Sequence, residues 1–237
     1  AVVRAAFSFK NQGLGHPILI GREAQVERTM EQMGVPAGTL EIINARLSDN
    51  NPVYTDFLYA RLQRDGYLKR DVQRLVNQDR NIFGCCMLKN GDADGMVTGV
   101  TRNYDVALSD SRLVLDTLPG QALIGMSMVI NRGRTVFIAD TSVTELPQGE
   151  DLANIALEAA AAVRAMGFVP RVAFLSYSTF GNPMGERGKK VREAVCILDE
   201  MGDVDFEYEG DMNADIALNP SHSLLYPFSR LKGPANV

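Results

Sequence analysis

Short apolar runs rich in Val, Ile and Leu alternate along this chain with longer segments whose apolar positions recur every three or four residues. That alternation predicts an α/β protein with a mainly parallel sheet. Residues 17–20, 40–43, 95–98, 123–129, 135–139, 171–176 and 214–218 read as strands, and 22–34, 52–65, 69–79, 104–116, 150–166 and 186–201 as helices. In 150–166, Leu152, Ile155, Ala156, Ala159 and Val163 form one face, and Glu150 and Asp151 suit the positive end of the helix dipole. Gly167 suits a left-handed stop. The alanines on that face predict close helix packing. In 186–201, Val191, Ala194, Val195, Leu198 and Met201 form the stripe that covers the sheet, ending at Gly202. No internal repeat and no long linker interrupts the pattern.

Composition narrows the function classes. A hydrophobic fraction of 46% with 22% charged residues is that of a folding globular chain, and 237 residues enclose a real core. The 24 Lys and Arg residues are scattered, and the net charge is −5, which argues against a nucleic-acid partner. No apolar run approaches the ~18–20 residues that span a bilayer. Three cysteines, with Cys85 and Cys86 adjacent, match neither a disulfide framework nor a Cys-x-x-Cys site, so a reducing cytoplasm is the expected compartment. The start lacks the pattern of a secretory signal and an initiator Met. The end, Gly233-Pro234-Ala235-Asn236-Val237, reads as a turn handing over to a strand. Both termini suggest a domain cut from something longer.

Most local motifs have ordinary explanations. Gly185-Glu186-Arg187-Gly188-Lys189-Lys190 lacks the first glycine and the Ser or Thr of a phosphate loop; Arg187, Lys189, Lys190 and Arg192 read first as a solvated helix face and second as an anion site. Asp92-Ala93-Asp94-Gly95 is turn chemistry, since its glycine comes too early for a calcium loop and no closing Glu follows. His16 and His222 have no nucleophile motif beside them and read as structural or surface residues. Cys85 and Cys86 lie in an apolar stretch and read as small buried hydrophobes. The segment Leu175-Ser176-Tyr177-Ser178-Thr179-Phe180-Gly181 is more informative. It places hydroxyls and a glycine at the C-terminal end of a predicted parallel strand, where open α/β sheets bind ligands; an ordinary Ser/Thr turn is the equal alternative.

That segment, followed by Lys190-Val191-Arg192-Glu193-Ala194, resembles the phosphotransacetylase family. Ala93-Asp94-Gly95-Met96-Val97-Thr98-Gly99, Phe137-Ile138-Ala139-Asp140-Thr141, residues 147–155, Gly210-Asp211-Met212-Asn213-Ala214-Asp215 and Gly233-Pro234-Ala235-Asn236-Val237 follow in family order. Thr101-Arg102-Asn103-Tyr104, residues 134–137, 204–208 and 226–231 resemble the version of the family fused behind malic enzyme. The resemblance implies a three-layer α/β/α fold of two subdomains, related to isocitrate dehydrogenase. On that resemblance, residues 1–237 are one phosphotransacetylase-like domain truncated at both ends, with the catalytic domains that bind malate, NADP and Mg or Mn lying elsewhere. The family's Thr-Leu-Arg-Pro segment reads Ala107-Leu108-Ser109-Asp110 here, so Ser109 stands where a phosphate-binding arginine is expected.

What the resemblance implies is therefore a non-catalytic domain that binds acetyl-CoA or CoA as an allosteric ligand and self-associates, in an enzyme oxidising malate to pyruvate. Two alternatives stand beside it. One is a working phosphate acetyltransferase with Arg102, Arg132, Arg134 or Arg230 replacing the missing arginine, and the other is a purely structural dimerisation module. The expected ligand-lining residues are Ser178 and Thr179, Asp140 and Thr141 at a neighbouring strand end, and Arg230 with Lys232. Hydroxyls suit a pantetheine chain, and the two cations suit the phosphates of CoA.

Overall fold

The computed structural model describes residues 1–237, the side chain of Ser223 excepted. Two compact units divide the chain, Ala1–Asp116 and Thr117–Val237. The first contains helices α1 (Val2–Asn11), α2 (Glu23–Gln32), α3 (Asn51–Leu62), α4 (Lys69–Gln78), α5 (Arg80–Asn90) and α6 (Tyr104–Val114), with strands β1 (Ile18–Ile20) and β2 (Glu41–Ile43). β1 and β2 pair in parallel, Ile18 opposite Glu41. Val3, Ala6, Leu19, Met30, Val35 and Leu40 pack where α1 and α2 meet this pair. A larger core joins α3, α4 and α5 through Tyr54, Leu58, Leu62, Val72, Val76, Ile82 and Phe83.

α5 begins with Asp79 as N-cap, whose carboxylate accepts from the Asn81 and Ile82 N–H groups. The same carboxylate takes Arg102 at 2.6 Å, and Asp110 lies 3.5 Å from that guanidinium. Cys85 and Cys86 are fully buried in α5, and burial pushes the Cys86 thiol up to about 12. Residues 95–98, expected to form a strand, have no ladder partner. Met96 instead drops its side chain onto Gly84, where a Cβ would stand 2.5 Å from its sulfur, and the Thr98 hydroxyl donates to Asn81 at 2.5 Å. Side-chain anchoring replaces backbone pairing there.

The second unit holds β3 (Met126–Asn131), β4 (Arg134–Ala139), α7 (Gly149–Ala165), β5 (Arg171–Leu175), α8 (Glu186–Met201), β6 (Glu207–Met212), α9 (Ala214–Leu218) and α10 (Pro220–Ser223). β3 and β4 form an antiparallel hairpin whose two-residue turn, Arg132-Gly133, has positive φ at both positions, the geometry that matches strand twist. β5 and β6 pair in parallel around the α8 crossover. The chain end threads between β4 and β5. Asn236 O accepts from the Phe137 N–H at 2.8 Å, the Val237 N–H donates to Arg171 O, and Val237 O accepts from the Ala173 N–H.

α7 opens with a reciprocal capping box between Gln148 and Asp151, and α7 packs on α8 through Ala153, Ala156, Ala160 and Ala194. Residues 214–218 are α9, not a strand; five residues are too few for apolar positions to reveal their period. The strand that pairs with β5 is β6, just before them in the chain.

Candidate functional site

The loop that leaves β5, residues 176–183, is built around a buried carboxylate. Asp211, on β6, has no exposed surface, and neither has Ser178. The Ser178 hydroxyl donates to Asp211 Oδ2, the Gly181 N–H to Oδ1 at 3.1 Å, and Arg192 Nη1 lies 3.2 and 3.3 Å from the two oxygens. The Phe180 N–H donates to Asp211 O at 2.7 Å. A buried aspartate keeps its charge at tolerable cost only with partners of this kind. Gly188 lets α8 approach: a Cβ there would stand 2.6 Å from Ser178 Oγ and 3.1 Å from Asp211 Oδ2. The Asn213 amide, in the orientation its surroundings demand, donates to Ser176 O and Tyr177 O and accepts from the Thr179 hydroxyl.

β6 holds more than this loop. Of its residues at alternate positions, Glu207 and Glu209 grip the segment 230–232 and Asp211 grips the loop 176–183. Glu207 accepts from the Lys232 N–H at 2.9 Å. Glu209, 6% exposed, takes the Arg230 N–H at 3.0 Å and its guanidinium at 3.3 Å. Arg230 also reaches Asp199 at 2.5 Å and lies over the Tyr208 ring at 4.8 Å. Burial works against its charge, but Glu209 and Asp199 outweigh it and hold the guanidinium pKa above its ordinary value.

Asp140 and Thr141 form a separate cluster at the end of β4. Burial pushes the Asp140 carboxyl up, but N–H groups of Thr144, Gly125, Ser142 and Val143 converge on it and leave it below the usual aspartate range. The shortest, from Thr144, is 2.6 Å. The Thr141 N–H donates to Gly125 O, and its side chain is exposed.

The structure thus ties Ser178, Thr179, Arg230 and Lys232 to β6 and its flanks, and gathers Asp140 and Thr141 with Gly125. Thr141 and Lys232 are exposed, and the Lys232 ammonium forms no ion pair among the described residues. Ser178, Asp140 and Arg230 spend their polar groups on the protein itself. Sequence reasoning passed over β6 as a strand, although Glu207-Tyr208-Glu209-Gly210-Asp211-Met212 carries the polar alternation of one. Of the arginines weighed as phosphate binders, Arg102 and Arg230 face carboxylates, Arg134 donates to Leu218 O and Ala235 O, and Arg132 sits in the exposed hairpin turn. Among the described residues no helix is long and apolar enough to cross a membrane.

A family model described as phosphate acetyl/butaryl transferase matches residues 1–237. The chain is 55% identical, over all its length, to an NADP-dependent malic enzyme of Rhizobium meliloti, and 41% identical to a probable NADP-dependent malic enzyme of Rickettsia prowazekii. It spans only 31% and 32% of those two proteins. Among solved structures, a phosphotransacetylase from Streptococcus pyogenes superposes with a TM-score of 0.86 at 28% identity, covering 99% of this chain and 72% of that one.

Proposed function

The chain belongs to the phosphate acetyl/butaryl transferase family, and from that premise we propose that it is the acetyl-CoA-responsive regulatory and assembly domain of a malate-oxidising enzyme. The observation that carries the proposal is the 55% identity, end to end, with one part of a malic enzyme. A fold alone does not fix a function, so the arginines matter as well. Transfer of an acetyl group to phosphate needs free positive charge at the transferring group. Arg102 and Arg230 are neutralised by carboxylates, Arg134 is spent on backbone carbonyls, Arg132 alone of the four keeps a free guanidinium among the described residues, and Ser109 stands where the resemblance implies an arginine. That supports a ligand-binding role over a transferase.

In this reading, acetyl-CoA or CoA lies against the strand-end loops 140–144 and 176–183. Thr141 offers its exposed hydroxyl to the pantetheine arm, Thr179 acts through the backbone it fixes, and Lys232 offers its unpaired ammonium to a phosphate. Ser178 and Asp140 act through the backbone they fix. The Asp211 charge balances Arg192, so the exposed Arg187 and Lys189 at the start of α8 are the cations left for further phosphates. Malate, NADP and Mg or Mn would be handled by parts of the enzyme outside this chain, and self-association of the domain would assemble it. Allosteric control then needs two enzyme states that bind acetyl-CoA with different affinities.

Initial rates of malate oxidation, measured with and without acetyl-CoA, test this in the full-length protein and in a version lacking residues 1–237. The proposal expects oxidation to survive the deletion and inhibition to disappear. Inhibition that persists unchanged sinks it. The solved phosphotransacetylase likeness favours a second reading, an active phosphate acetyltransferase, and the same preparations assayed for CoA-dependent consumption of acetyl phosphate separate the two.

A further inference from the structure

The loop 176–183 is gripped from a second side. Phe180 has φ of 47°, a left-handed conformation that a bulky residue keeps only where its surroundings fix it. Its ring meets Tyr226 at 5.1 Å and Phe228 at 4.8 Å, and these two meet each other at 6.0 Å. Neither Tyr226 nor Phe228 lies in a helix or strand, and Phe228 is 65% exposed. Phe228 therefore has little burial of its own to hold it, and the segment is tied down just after it, by Leu231 in the core beneath, by the Lys232 N–H on Glu207 and most extensively by Arg230. Arg230 fastens that segment to β6 and α8 through its N–H and guanidinium on Glu209, its Nη1 on Asp199, and its stack on Tyr208.

We infer that Arg230 is a positioning residue for the loop 176–183: by fixing Tyr226 and Phe228 it supplies the wall that holds Phe180, and with it the backbone of Thr179 and Gly181. The inference deepens the reading of that loop as a ligand site and rests on it for its functional consequence, though not for the coupling itself. The chemistry calls for arginine. A planar guanidinium meets Glu209 along one edge, reaches Asp199 with another nitrogen and stacks on an aromatic face, whereas a lysine ammonium is a point charge that cannot do all three. β6 becomes the shared anchor, since Glu209 holds the outer wall and Asp211, two residues on, holds the loop from beneath.

Hydrogen exchange in the full-length protein reads the coupling directly. The reporters are the amides of Thr179, Phe180 and Gly181, bonded to Asn182 O, Asp211 O and Asp211 Oδ1. In Arg230→Ala they should exchange at least about tenfold faster, while amides of β5 and α7 stay unchanged, because local opening and global unfolding are separable. Arg230→Lys should give most of the same acceleration, and Glu209→Gln a smaller part of it. Phe228→Leu, at the far end of the chain of contacts, should loosen the same loop without touching the ion pairs. Acceleration confined to residues 224–232, or equal acceleration throughout the second unit, overturns the inference. Titration of Arg230→Ala with acetyl-CoA tells the two ideas apart. A loosened loop with weakened binding supports both, and a loosened loop with unchanged binding leaves the coupling standing while removing the loop from the ligand site.

Discussion

Replacing Asp211 by alanine lowers the stability of the second unit by about 3–5 kcal/mol, the range for breaking a buried charge pair from one side. The carboxylate accepts from the Ser178 hydroxyl and the Gly181 N–H and pairs with Arg192, and none of its surface reaches water. Alanine removes both side-chain acceptors at once and leaves the Ser178 hydroxyl, which no solvent reaches, without its carboxylate partner. Arg192→Met should cost a comparable amount, because it leaves the Asp211 charge, which no solvent reaches, without its cation, although the Ser178 and Gly181 donors remain. Asp211→Asn retains one oxygen acceptor, leaves no buried charge and should cost least of the three. Denaturant titration of the three variants gives the order. An Asp211→Ala cost below about 1 kcal/mol, the scale of one ordinary hydrogen bond, would mean that this carboxylate does not organise the loop.

The other large effect lies in the first unit. Tyr54 is 1% exposed, stacks edge-on against Phe83 at 5.3 Å, donates to Asp92 at 2.5 Å and accepts from Asn50 at 3.1 Å. Truncating such a ring to alanine costs about 3–5 kcal/mol. Its hydroxyl adds a pH dependence whose sign follows from linkage. Burial first, then the bond to Asp92, push the Tyr54 pKa up to about 12. A raised folded-state pKa gives stability that is complete below the unfolded value of about 10 and is lost as pH climbs through the folded one. Two units correspond to about 2–3 kcal/mol, lost between roughly pH 10 and 12. Cys86, Cys85 and Tyr208 are raised in the same direction, so the wild-type curve sums these groups with Tyr54. Tyr54→Phe should lose about 1 kcal/mol at neutral pH and then fall less steeply than wild type in alkali. Parallel curves would show that the hydroxyl carries no such linkage.

Much of the fold was legible in the chain, for physical reasons that also explain the exceptions. α7 and α8 bury Ile155, Ala156, Ala159, Val163, Ala194, Val195 and Leu198 as their three- and four-residue spacing required, and Gly167 and Gly202 end them with φ of 86° and 72°. Met201, expected on the stripe, is 44% exposed because the helix is ending there. α5 escaped notice as a helix because Ile82 to Met87 are buried on every side, and an element buried all round has no amphipathic period. β6 escaped because a strand carrying Glu207, Glu209 and Asp211 does not read as apolar. Asp211 and Glu209 are satisfied by Arg192 and Arg230, 19 and 21 residues away in sequence, and no local pattern announces such partners.

The candidate site shows the same division. That Ser178, Thr179, Asp140 and Thr141 lie at strand ends was readable from the apolar runs before them. That Ser178 faces inward onto Asp211, that Asp140 fills its own ring of backbone amides, and that Arg230 is a latch depended on contacts across 33, 15 and 21 residues.

The central claim, that this domain is a receptor for acetyl-CoA, is tested most directly by calorimetric titration of acetyl-CoA into the full-length protein and into the version lacking residues 1–237, with CoA for comparison. The account predicts saturable binding to the first that is absent from the second. Failure to bind up to millimolar ligand, or equal binding to both, would contradict it and leave assembly as the work of this domain.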